Sequence, residues 1–215
     1  MRDVPTPITA VVLAGGRSTR MGRTKATLPL HGETFLTHII RTFLEAGVND
    51  VVAVLGHDAD AIAQTVLSSG LVARVVVNSN YDRGQLSSLL TGLDAADQPG
   101  VPAILMTLVD VPLVSPSTVR AVIDRYEKTR ALIVRPVNGS RHGHPILIDR
   151  NLFAALRAAG DATGAKPIVR ANASPAGDVI VDDEGAFCDI DTMEEYVRII
   201  GDDAVGRRPG TSADS

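Results

Sequence analysis

The chain has 215 residues, of which 45% are hydrophobic and 3% aromatic, with no Trp and a net charge of −4. That length favours one domain, and the composition calls for an aliphatic core of the kind a parallel sheet buried on both faces requires. The acidic balance and the shortage of aromatics exclude a broad nucleic-acid surface, which needs a basic field and stacking platforms.

Residues 8–13 are a short apolar, β-rich run that ends abruptly at Gly15-Gly16, a buried strand feeding a loop. Residues 34–46 carry Leu36, Ile39, Ile40, Phe43 and Leu44 at helical spacing, with Gly47 placed to end the helix. Strands follow at 51–55 and 74–77 with a helix at 59–67 between them. A helix at 86–96 and a strand at 103–108 come next. Ser115 is placed to cap a helix that starts at Pro116 and runs to about Lys128, and residues 131–135 form another strand. This alternation predicts right-handed βαβ units in a mostly parallel sheet, whose ligands bind beyond the carboxyl ends of the strands. Residues 15–25 and 109–112 lie at that edge.

After Arg135 the rhythm changes: a loop at 139–145, a short strand at 146–148, and helices near 151–158 and 194–200. This reads as a second lobe on the same sheet, so that residues 1–200 form one domain with a first part at about 1–115 and a second at about 116–200. The Gly-, Asp- and Ser-rich residues 201–215 are expected to be disordered. Cys188 stands alone, so no intrachain disulfide follows and a small core residue is expected. No apolar run reaches the length of a membrane span, and residues 1–7 lack the apolar core of a signal peptide. A soluble cytoplasmic protein is expected.

The most informative segment is Leu13-Ala14-Gly15-Gly16-Arg17-Ser18-Thr19-Arg20-Met21-Gly22-Arg23-Thr24-Lys25. Glycines let backbone amides approach a ligand closely, and four cations within nine residues suit a polyphosphate. The spacing fits neither the dinucleotide fingerprint nor the Walker A loop.

The pattern L-A-G-G-x-x-x-R-M-G-x-x-K resembles the signature of the MobA-like NTP transferase family, whose relatives include sugar-nucleotide pyrophosphorylases and cytidylyltransferases. The resemblance implies a Rossmann-like three-layer α/β/α sandwich. It also implies nucleotide binding by Leu13, Ala14, Gly15, Gly16, Arg17, Arg20 and Lys25, with Arg20 on the triphosphate and Lys25 on the α-phosphate. By the same match Asp110, in Thr107-Leu108-Val109-Asp110-Val111-Pro112, is a Mg²⁺ ligand. Asp189-Ile190-Asp191-Thr192 resembles a D-I-D-T-P-E-D segment of the family, with Met193 in place of the Pro, which implies Asp191 as the second ligand. Read without the family, Asp191 or Thr192 simply caps the helix that follows.

Gly84, Gln85, Ser87 and Ser88 resemble a G-x-x-x-S-L segment that lies against the nucleotide in the family's molybdopterin cytidylyltransferases; an ordinary helix start is the competing reading. Gly143-His144-Pro145 and Gly160-Asp161-Ala162-Thr163-Gly164-Ala165 resemble that subgroup's G-H-P and G-D-x-G-A stretches, which implies His144 and Asp161 in acceptor binding. The donor implied by these downstream matches is CTP and the acceptor molybdopterin, with a molybdoenzyme a candidate protein partner. Gly15 points instead to GTP, because an alanine methyl there would narrow the space for a purine. Guanylyl transfer and transfer to another small phosphorylated acceptor stay open, as does a non-catalytic cofactor-binding chaperone on the same fold.

Overall fold

The computed structural model describes residues 6–18, 21–161 and 163–201. Arg20 and residues 202–215 therefore lie outside the described residues, as do residues 1–5 of the N-terminal segment. The elements in chain order begin with β1 (Thr9–Ala14), β2 (Pro29–Leu30), β3 (Glu33–Thr34), α1 (Phe35–Glu45), β4 (Asp50–Leu55) and α2 (Ala59–Ser68). They continue with β5 (Arg74–Val77), α3 (Gln85–Ala96), β6 (Ala103–Leu108), α4 (Pro116–Thr129), β7 (Ile133–Asn138) and β8 (Arg141–His142). The last are β9 (Ile146–Asp149), α5 (Phe153–Ala158), α6 (Lys166–Asn172), β10 (Asp178–Ile180) and α7 (Met193–Ile200).

Eight strands form one sheet in the order β10-β7-β9-β6-β1-β4-β5, with β8 paired to β7. β1 is central and parallel to both β4 and β6. Alternate residues of β1 enter opposite layers. Ala10, Val12 and Ala14 pack with Leu36, Ile39, Ile40 and Phe43 of α1 and with Val119 and Val122 of α4. Val11 and Leu13 pack with Leu86, Leu89 and Leu93 of α3 and with Phe153 of α5. This is the aliphatic three-layer sandwich that the composition and the family resemblance imply. Gly92 lets α3 sit directly on the sheet: a Cβ there would stand 2.4 Å from Val11 Cγ1 and 2.8 Å from Val54 Cγ2. Among the described residues no helix is long and apolar enough to cross a membrane.

Two helix ends follow the sequence closely. Ser115 Oγ accepts the Thr118 N–H with Pro116 in the first turn. Gly47 has φ 92, and the Val48 and Gly47 N–H groups donate to the carbonyls of Phe43 and Leu44, so α1 ends in a Schellman motif. The sheet departs from simple βαβ order at β9, which is antiparallel to both β6 and β7. The crossover through α4 skips one position, and β9 returns to fill it. β7 also runs through Pro136 to Asn138, beyond the expected end at Arg135. Pro cannot donate to a ladder, but the Pro136 carbonyl still accepts the Gly143 N–H at 2.9 Å. Cys188 is half-buried against a third apolar cluster, in which Met21, Leu28, Leu30 and Phe35 meet Ile190 and Tyr196. That cluster ties the end of the glycine-rich loop to α7, and the Tyr196 hydroxyl donates to the Pro29 carbonyl at 2.7 Å.

Candidate active site

A cleft of about 350 Å³ opens at the carboxyl ends of β1 and β6. The chain reaches it through a ladder that continues past the strands. The Val109 N–H donates to the Leu13 carbonyl, and the His57 N–H to the Gly15 carbonyl. Gly56 permits this approach, because a Cβ there would lie 2.6 Å from the Gly15 oxygen. On the far side the Asn78 N–H donates to the Leu55 carbonyl at 2.8 Å. The buried Asn78 side chain donates in turn to Ser87 Oγ at 2.8 Å and Ser88 Oγ at 3.0 Å. Asn78 thereby fixes the first turn of α3 against the cleft. Gly84, the residue before α3, has φ 109 and supplies no side-chain cap, so the first-turn amides have no side-chain cap from it.

Lys25 is the charged centre. Its ammonium donates to Asp191 Oδ1 at 2.6 Å and to Asp110 Oδ2 at 3.2 Å. Its backbone is held separately, by donation of its N–H to Ser18 Oγ at 3.0 Å. The Ile190 N–H donates to the Asp110 carbonyl at 2.8 Å, which sets the two acidic segments side by side. Asp110 Oδ1 is buried and has no hydrogen-bond partner among the described residues. Partial burial, reinforced by the negative charge of Asp110 and Asp191, pushes the Asp189 carboxyl up, although the residue keeps an exposed face. Thr192 is the N-cap of α7, in a capping box with Glu195, so Asp191 stands outside the cap with its carboxylate turned to Lys25.

Of the residues singled out in the sequence, Leu13, Ala14, Gly15, Gly16, Lys25, Gly84, Gln85, Ser88, Asp110 and Asp191 line this one cleft. Four others do not. Ser87 turns to Asn78 and to the Asn80 and Gly84 carbonyls. Arg17 is exposed, with its guanidinium carbon 5.5 Å from the centroid of the Tyr81 ring. Asp161 pairs with Arg83 at 2.6 and 2.9 Å and borders a smaller pocket of about 210 Å³ that shares Leu13 and Gln85 with the cleft. His144 lies to one side, its Nδ1 buried without a hydrogen-bond partner among the described residues, and burial lowers its pKa. Ser18, Thr24 and Tyr81 line the cleft and were not singled out. Tyr81 carried a signal, an aromatic in a chain with three Tyr, placed three residues before Gly84.

Among the described residues no group of three or more His, Cys, Asp or Glu side chains is arranged to hold a metal. A hard cation that keeps its waters and shares phosphate oxygens needs only one or two carboxylates. Asp110 and Asp191 fit that requirement, and the unpartnered Asp110 Oδ1 is the oxygen available for it.

The model of the MobA-like NTP transferase domain matches residues 10–176. The chain belongs to this family. The matched region takes in the glycine-rich loop and Asp110 and ends before Asp191. Family membership makes the chain a nucleotidyltransferase by kind. Nicotine blue oxidoreductase of Paenarthrobacter nicotinovorans is 34% identical over 211 residues, covering 93% of this chain and 100% of that protein. A probable molybdenum cofactor guanylyltransferase of Mycolicibacterium paratuberculosis is 29% identical over 137 residues, covering 63% of this chain and 66% of that protein. The crystal structure of Rv0371c from Mycobacterium tuberculosis superposes with a TM-score of 0.75 at 31% identity, covering 91% and 98% of the two chains. A structure of Rv0371c in complex with manganese gives a TM-score of 0.68 at 30% identity, covering 92% and 100%.

Proposed function

We propose that the protein transfers a nucleoside monophosphate from an NTP, with CTP as the preferred donor, onto a phosphorylated acceptor of the molybdopterin type, releasing pyrophosphate. The observation that carries this reading is the Lys25 ammonium set between Asp110 and Asp191 in a cleft walled by Gly15 and Gly16. An acceptor phosphate oxygen forms the new bond to the α-phosphorus, and the bond from that phosphorus to the β-bridging oxygen breaks. A phosphate monoester is already largely ionised at neutral pH, so the step needs no general base. What remains is positioning and charge stabilisation. The loop amides and Arg20 hold the triphosphate and Lys25 turns to the α-phosphate. Asp110 and Asp191 would hold Mg²⁺, which supplies further neutralisation of the phosphate oxygens when bound. Asp161 and His144 belong to the acceptor side.

CTP is favoured by the downstream motifs at 143–145 and 160–165. Gly15 does not by itself favour GTP, because a Cβ there would stand 3.0 Å from Ser88 Oγ. Packing against α3 thus accounts for the glycine whatever base is bound. The relative named as a guanylyltransferase supports GTP as the alternative donor. A second reading, an oxidoreductase on this fold, is favoured by the relative that matches along its whole length. Incubation with each NTP and molybdopterin, and separately with NADH or NADPH and nicotine blue, the compound in that relative's name, as electron acceptor, separates the two. Pyrophosphate release supports transfer, and dinucleotide oxidation without it supports the second reading.

A further inference from the structure

We infer that Tyr81 is a base-binding residue: the nucleobase packs on its ring, and that contact sets where the nucleotide lies in the cleft. The inference rests on the nucleotidyltransferase reading and adds to it a side chain that none of the sequence motifs contains.

Three observations carry it. The first is the order of the strands. Along β6-β1-β4-β5 the carboxyl ends present Asp110, then the glycine-rich loop, then Gly56, then Tyr81. The Lys25 ammonium stands at the β6 side, 3.2 Å from Asp110. A triphosphate seated there across the glycine loop sends its base towards β5, where Tyr81 lines the same cleft.

The second is that the ring has a built seat. A Cβ on Gly56 would stand 2.6 Å from Tyr81 Cβ and 2.7 Å from its Cγ, and one on Gly15 would stand 3.6 Å from Tyr81 Cβ. Neither glycine has a positive φ, so close packing rather than backbone conformation asks for them. Residues 56–58 are locked to the glycine-rich loop at two points. The His57 N–H donates to the Gly15 carbonyl at 3.2 Å, and the Thr24 hydroxyl donates to Asp58 Oδ2 at 3.0 Å. Asp58 holds a left-handed φ of 54, the kind of strain that collects at functional sites. Beyond the ring, the Gly84 N–H donates to the Tyr81 carbonyl at 3.3 Å, and the Ser87 hydroxyl donates to the Asn80 carbonyl at 2.8 Å.

The third is the placement of the aromatics. Of the three tyrosines, Tyr126 and Tyr196 are each 1% exposed, whereas Tyr81 is half-buried at the cleft. The Arg17 guanidinium lies 5.5 Å from the centroid of its ring, and the His57 ring stands 6.1 Å away at 50°, so the ring is held on more than one side. A preset aromatic loses little freedom when a base packs on it, and stacking tolerates any base because each has a π-face. Tyr81 therefore adds affinity for CTP and GTP alike and leaves the choice between them to other groups.

The test is calorimetric titration with CTP and, separately, with inorganic tripolyphosphate, which carries the phosphates and no base, both with Mg²⁺. Tyr81→Leu should weaken CTP binding by roughly tenfold, the scale of one base–aromatic stack, and leave tripolyphosphate binding unchanged. Tyr81→Phe should bind CTP as wild type does. Unchanged CTP binding by Tyr81→Leu overturns the inference, and so does an equal loss for both ligands, which would make the ring a support for the loops. A measurement on wild type guards against a Leu variant that does not fold. Isotope-filtered nuclear Overhauser contacts should join the cytosine ring protons of bound CTP to the Tyr81 ring, and bound CTP without them overturns the inference. Wild type that binds tripolyphosphate as tightly as CTP would remove the base contact and leave the phosphate site standing. Wild type that binds neither would bring down the nucleotidyltransferase reading and this inference with it.

Discussion

The Ile190 N–H donates to the Asp110 carbonyl at 2.8 Å, and that bond joins segments eighty residues apart into one acidic edge. It brings Asp191, which lies past the family-matched region, to the same lysine as Asp110. The α7 cap belongs to Thr192, which leaves the Asp191 carboxylate out of the helix end. Asp191→Ala should therefore leave the Tm within a degree or two of wild type while lowering kcat by about a hundredfold, the scale of losing one preorganised electrostatic contact. Thr192→Ala should do the reverse, costing about 1 kcal/mol of stability through the lost cap with far less effect on turnover. Thermal unfolding and pyrophosphate release on both variants check the pair; a large Tm loss in Asp191→Ala would return that residue to a capping role.

Gly92→Ala sets two effects against each other. Alanine gains up to about 1 kcal/mol in helix propensity. The added Cβ lands 2.4 Å from Val11 Cγ1 and 2.8 Å from Val54 Cγ2, in a layer of buried side chains. Overpacking of such a site costs about 1–3 kcal/mol, and the clash should win. Urea unfolding should show a lower midpoint with an unchanged slope.

Gly15→Ala should weaken CTP binding by about tenfold, because Ser88 Oγ must yield to the new methyl at 3.0 Å and shift the first turn of α3. Ser88→Ala removes that oxygen, and Asn78 keeps Ser87 as a partner. The double variant should recover most of the affinity, with a coupling of about 0.5–3 kcal/mol. Additive losses in a binding cycle would show that the contact is not the cause.

The fold was largely legible because its signals are local. The β1 run before Gly15, the Schellman glycine at 47 and the Ser115-Pro116 helix start each follow from a few neighbouring residues. What escaped was either too short for a period or set by distant partners. β2 and β3 have two residues each, β10 has three, and α6 starts with a Pro in its first turn in a segment without strong apolar spacing. The antiparallel course of β9 depends on which gap in the sheet is open, and periodicity does not carry that. In the site, the loop and Asp110 were readable as chemistry. The hold of Asn78 on α3 and the burial of His144 Nδ1 are relationships across the sheet with no sequence spacing to announce them.

Asp183 sets the acid limit of the α4 start. Burial works against its charge. Hydrogen bonds from the Thr118 hydroxyl, the Ser115 backbone and hydroxyl, and the Gly185 N–H outweigh that and hold its pKa below the usual carboxylate value. A depressed folded pKa contributes stability that is complete above the unfolded value and is lost as pH falls through the folded one. Asp183→Ala should cost about 1–2 kcal/mol at pH 7, the scale of a lost cap. The gap from wild type should narrow below about pH 4. A gap that stays constant down to pH 3 would rule out the carboxylate as its source.

The most direct test of the account is pyrophosphate release from CTP, GTP, ATP and UTP, each with Mg²⁺ and molybdopterin, by wild type and by Asp110→Ala. The account predicts release by wild type that is greatest with CTP and stopped by EDTA, and a loss of at least about a hundredfold in Asp110→Ala with its fold intact. Release from no nucleotide, or wild-type turnover in Asp110→Ala, would contradict it.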